Sequence, residues 1–171
     1  VEKIKAIETN YAGCRFRSRL EARWAVFFDT LGIKWEYEKE GYKLADGTCY
    51  LPDFWLPQVN MWAEVKPDTP NEIEIQKARG LAAGTGFPVL LLDGLPRCTN
   101  FWGVHPPEED YPEFMDYHIS EGSHYWLDEG RFFSNTGTSA DFPNHCAKDE
   151  LYDCDSGQEA VTAAMSARFG T

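Results

Sequence analysis

Asp53, Glu64 and Lys66 fall within one short stretch, YLPDFWLPQVNMWAEVK (50–66), which reads as two strands joined by a tight turn. Strand side chains alternate between faces, so Glu64 and Lys66 project to one side with Trp62, while Met61, Ala63 and Val65 line the other. Asp53 sits on the first strand among Leu51, Phe54, Trp55 and Leu56. Asp is disfavoured in strands, and a carboxylate in so apolar a run costs free energy unless a cation or a partner offsets it. Two carboxylates and an ammonium on neighbouring strands make a compact divalent-metal site with a water-orienting or basic group attached. Taken singly, Glu and Lys on a strand form a solvated face, and Asp after Pro marks a turn.

The elements around the hairpin must position these groups. In RFRSRLEARWAVFFDTLGI, Ser18 and Glu21 have capping-box spacing, so a helix begins near Ser18. Leu20, Trp24, Phe27 and Leu31 follow its buried period, and Gly32 stops it. Glu21, at the edge of that stripe, has two readings: the third residue of a capping box, or a third acidic ligand facing the hairpin. Arg15, Arg17, Arg19 and Arg23 crowd the start of the helix, where guanidinium groups and free N–H groups suit phosphate.

IKWEYE (33–38) alternates as a strand with Ile33, Trp35 and Tyr37 on the core face, and LADGTCY (44–50) reads as a hairpin connection. Residues 71–84 form a second helix with Asn71 as N-cap and Gly84 and Gly86 at its end. FPVLLLDG (87–94) is a strand buried on both faces, parallel to the one before the helix. The fold class is α/β (α+β): a mixed β-sheet flanked by helices.

The chain has 171 residues, 43% of them hydrophobic and 15% aromatic, enough for a packed core. No apolar run is long enough to span a bilayer, so no membrane is expected. The five cysteines are odd in number and irregularly spaced, which points to a reducing cytoplasm rather than a disulfide framework. The net charge of −12 is uneven: residues 1–100 balance to −1 and residues 101–171 to −11. The division is therefore a core over 1–100 and an acidic C-terminal extension over 101–171. Within the extension, HPPEEDYPEF reads as a linker, YHISEGSHYWLDEGRFFS as an antiparallel meander and QEAVTAAMSARFG as a helix. His145, Cys146 and Cys154, with His118 or His124, fit no standard zinc spacing.

The order of a helix with Glu21, a strand with Pro52-Asp53, Glu64-Val65-Lys66, a helix and a buried strand resembles the PD-(D/E)XK nuclease superfamily over residues 11–96. The E…PD…ExK set looks most like its phage and bacterial branch. The resemblance implies a restriction-endonuclease-like core and Mg²⁺- or Mn²⁺-dependent hydrolysis of DNA phosphodiesters. It implies Asp53, Glu64, the carbonyl of Val65 and Glu21 as metal ligands. Lys66 would orient or deprotonate the attacking water, and Gln76 would contact a phosphate or that water. Competing functions are a catalytically silent DNA-binding or assembly subunit, a branched-DNA resolvase, and an RNA nuclease. The acidic extension should repel DNA. It is expected to dock a protein partner, to screen the basic face, or simply to solubilise, and a homodimer would let two sites cut both strands.

Overall fold

A computed structural model of the chain describes residues 6–58, 60–96, 101–104, 106–107, 124–128, 131–135 and 154–169. A small hairpin, β1 (Thr9–Tyr11) and β2 (Cys14–Phe16), leads into helix α1 (Arg19–Thr30). Then come β3 (Glu36–Tyr37), a second small hairpin of β4 (Tyr42–Lys43) and β5 (Cys49–Tyr50), β6 (Phe54–Leu56) and β7 (Met61–Lys66). Helix α2 (Glu72–Thr85) crosses to β8 (Val89–Asp93), and β9 (Phe101–Val104) follows. A hairpin of β10 (His124–Asp128) and β11 (Arg131–Asn135) precedes helix α3 (Cys154–Ser166).

The central sheet has five strands in the order β3-β6-β7-β8-β9. All pairs are antiparallel except β7 and β8, which are parallel and joined through α2. The expected mixed sheet with flanking helices is therefore observed. Alternation assigns its faces: Phe54, Leu56, Met61, Ala63, Val65, Leu90 and Leu92 meet α1, whereas Trp55, Trp62, Val89 and Leu91 meet α2. The Trp55 and Trp62 rings, paired across β6 and β7, lie 4.5 Å apart.

Helix ends follow local chemistry. Ser18 caps α1 by accepting from the Glu21 amide. Asn71 and Glu74 form a reciprocal capping box on α2. Gly86, at φ 74°, supplies the left-handed residue that closes α2. Gly84 is the penultimate residue of that helix. At Gly80 a Cβ would stand 3.1 Å from Leu44 Cδ1, so the glycine lets the β4–β5 hairpin approach α2.

Three expectations need correction. The strand over 33–38 is reduced to Glu36–Tyr37, because the Ile33 amide turns back to the Phe28 carbonyl at 2.8 Å and leaves the ladder. The strand beginning at Tyr50 is broken at residues 51–53, so Asp53 occupies a bend immediately before β6. Pro52 has no N–H to continue a ladder, and the Asp53 amide is given to a side chain. Helix α3 starts and ends four residues earlier than the expected 158–170.

Elements on both sides of residue 100 pack together. β9 pairs with β8 along the sheet, and Ala160 and Ala164 of α3 are fully buried in the α1 core. This explains why α1 is buried so far round its circumference, with Ala22, Trp24, Ala25, Val26, Phe27 and Phe28 all inside. The stripe read from the sequence is too narrow, since α1 lies between the sheet and α3. Ala164→Leu should overpack this contact and cost about 1–3 kcal/mol, measured by urea unfolding. Most of the linker expected over 105–114, residues 136–153 with His145 and Cys146, and His118 lie outside the described residues, as do the side chains of His124 and Cys154.

Candidate functional site

The carboxylates read from the sequence come together where β6 and β7 meet the start of α1. Asp53, Glu64 and Glu21 are 3%, 6% and 8% exposed. Asp53 Oδ2 accepts from the Val65 amide at 2.8 Å, and the Asp53 amide donates to Glu64 Oε2 at 3.2 Å. The bend before β6 thus folds the aspartate onto the strand that carries the glutamate. The other oxygens of these two groups carry cations from the chain. Arg17 Nη2 is 2.5 Å from Asp53 Oδ1, and Lys66 Nζ is 2.8 Å from Glu64 Oε1.

Glu21 completes the group from α1, but not as a reciprocal capping residue. Its Oε1 accepts from Ser18 Oγ at 2.6 Å, and its Oε2 accepts from the Tyr37 hydroxyl at 2.5 Å and the Arg17 amide at 3.2 Å. Glu21 is therefore turned toward Ser18 and Tyr37, and its charge still reaches Asp53. No group of three His, Cys, Asp or Glu among the described residues is arranged to hold a metal as the side chains stand.

Burial and the neighbouring charges of Glu64 and Glu21 push the Asp53 carboxyl up to about 8, against the Val65 N–H and Arg17, which favour its ionised form. Burial works against the Lys66 ammonium, but Glu64, Glu74 and Asp53 outweigh it and hold Lys66 above the ordinary lysine value. Lys66 is accordingly charged and serves as a donor rather than a base in this arrangement. This excess of buried negative charge is the donor chemistry that a hard cation satisfies with oxygen ligands.

Four supporting residues were not read from the sequence. In the sequence Tyr37 and Tyr50 read as strand or core aromatics, yet both lie against the acids. Burial, and then the Glu21 hydrogen bond, raise the Tyr37 hydroxyl. Burial, and then the charges of Glu64 and Asp53, raise that of Tyr50. A buried tyrosine hydroxyl needs a polar partner, and that need was the available signal. Glu74, at the start of α2, lies 3.6 Å from Lys66 Nζ. Glu38 Oε1 takes Arg17 Nε at 2.8 Å, a contact that no local pattern announces. Tyr37→Phe keeps the ring packing on Phe16 and Phe54 but takes the hydroxyl donor from Glu21 Oε2, which retains only the Arg17 amide. It should lower unfolding free energy by about 1–3 kcal/mol in urea titrations.

The basic residues divide. Arg17 reaches the carboxylates. Arg15 pairs with Glu8, and Arg19 is exposed on the first turn of α1. Arg23 donates to the carbonyls of Ala164 and Met165 and stacks over Phe169, so it fastens α3 to α1. Gln76 is exposed and donates to Glu72 at 2.7 Å, so the α2 side chain at Lys66 is Glu74.

These elements define a mixed α+β protein with a carboxylate-rich centre at one end of its central sheet. Comparison with protein-family models, with curated proteins and with solved structures gives no match.

Proposed function

We propose that this chain is a Mg²⁺- or Mn²⁺-dependent DNA endonuclease with a restriction-endonuclease-like core of the PD-(D/E)XK kind. The observation that carries the reading is the meeting of buried Asp53 and Glu64, with Lys66 on Glu64 and Glu21 beside them. Asp53, Glu64, the Val65 carbonyl and Glu21 would hold the cation. Bound there, it would polarise a phosphodiester and make a coordinated water more acidic. Lys66 holds its proton at Nζ, so its part is to orient the water and to offset charge building on the phosphate. Glu64 and Glu74 hold the ammonium that does this.

The sequence order of these residues supports the phage and bacterial branch, and a reducing cytoplasm suits that setting. Among the described residues no helix is long and apolar enough to cross a membrane. The test is incubation of supercoiled plasmid and of matched single-stranded DNA and RNA with the full chain, with Mg²⁺, Mn²⁺ or EDTA. Metal-dependent breaks in DNA support the reading. Cutting of RNA alone would move it to ribonuclease chemistry, and binding without cleavage under any metal would leave a silent DNA-binding subunit.

A further inference from the structure

We propose that Arg17 is a resident counter-ion on Asp53, displaced when a divalent cation binds, and that its freed guanidinium then grips a phosphate of the bound DNA. This rests on the nuclease reading and adds to it a coupling between cation and DNA.

Three observations lead here. First, Asp53 Oδ2 already accepts from the Val65 amide, and Oδ1 is covered by a charged group of the chain, Arg17 Nη2 at 2.5 Å. A second positive ion cannot join Oδ1 without lying against the guanidinium. Second, the two ends of Arg17 differ in freedom. Its amide is tied to the Tyr37 hydroxyl at 3.1 Å and to Glu21, directly before the helix cap. Its side chain is 54% exposed, whereas Asp53 is buried. The side chain can leave while the backbone stays.

Third, an alternative partner is built in at the rim. Glu38 holds Arg17 Nε at 2.8 Å, and its own amide is bonded to the Asp53 carbonyl at 2.8 Å. Glu38 has φ 46°, a left-handed conformation that is unfavourable for a residue with a side chain and is maintained by those surroundings. It presents its carboxylate where Arg17 can remain after leaving Asp53. The fork of an arginine spans both acids at once, which the single nitrogen of a lysine does not.

The experiment is titration calorimetry with Mn²⁺ alone on the full-length wild type, Arg17→Ala and Arg17→Lys. It is paired with affinity for a DNA duplex in Ca²⁺ across a salt series. Removing the competitor should tighten Mn²⁺ binding about tenfold in Arg17→Ala, allowing for half-exposure of the ion pair. Arg17→Lys should fall between Arg17→Ala and wild type, and it carries the comparison if the alanine variant does not fold. The same Arg17→Ala change should weaken DNA binding and lower the salt slope by about one. Unchanged or weaker Mn²⁺ affinity in both variants would overturn the displacement while the metal site stands. Absence of Mn²⁺ binding in wild type and variants alike would remove the nuclease reading itself, and this proposal with it.

Discussion

Lys66→Met is expected to lower Mg²⁺-dependent cleavage of plasmid DNA by roughly 10³-fold, within the range found when a charged or proton-handling group is removed from a reacting centre. The change retains the methylene stem and takes away only the ammonium, which lies 2.8 Å from Glu64 and 3.6 Å from Glu74. Affinity for DNA in Ca²⁺ should change little, since a single half-buried ammonium contributes little to the phosphate field that governs binding. Initial rates measured alongside filter binding separate the two quantities. Equal loss of binding and cleavage would assign Lys66 to holding DNA, and undiminished cleavage would remove it from the chemistry. Leaving Glu64 and Glu74 without their cation also has a structural cost, so a thermal melt of the variant must accompany the rates.

The second large effect concerns pH. Without a divalent cation the protein should become less stable as pH rises from about 4 to about 8. The Asp53 carboxyl is pushed up to about 8 in the folded chain by burial and by Glu64 and Glu21, from an ordinary value of 3.8. Between those values the folded form holds a proton that the unfolded form has released, so stability falls with rising pH and the penalty is complete above the folded value. Asp53→Asn should abolish that slope and melt several degrees above wild type at pH 8.5, at roughly 2–4 °C per kcal/mol for a chain of this size. Mn²⁺ should raise the wild-type midpoint at pH 8.5 by mass action and leave Asp53→Asn unmoved. A flat pH profile for the cation-free wild type would show that Arg17 already neutralises the centre.

The two faces of β7 were readable because a period of two leaves no freedom once the apolar residues are placed. Met61, Ala63 and Val65 lie on the α1 side and Trp62 on the α2 side, as the alternation requires. The caps Ser18 and Asn71 were readable for a similar reason, since their chemistry is local. Asp53 was assigned to the right place but the wrong element. A proline directly before it could be read as an edge position or as a break, and the break was chosen by contacts with Glu64 and Glu38. Arg23 shows the limit most clearly. Its partners on α3 stand 141 and 142 residues away, and no pattern near Arg23 distinguishes it from its exposed neighbours. The sequence offers Arg17 only as a phosphate contact, because nothing near it announces that Asp53, 36 residues away, lies beside it.

The contact of α1 with α3 has a consequence for synthesis. The helix that presents Glu21 leaves the ribosome 141 residues before its outer covering at Ala164. At 5–20 residues per second this is a wait of roughly 7–30 s. Through that interval the nascent chain holds an aromatic-rich helix with one side uncovered, a target for chaperones and for self-association. Closing so long a loop is also slow. Translation speed over the 141 residues between them therefore sets how long the newborn protein stays vulnerable.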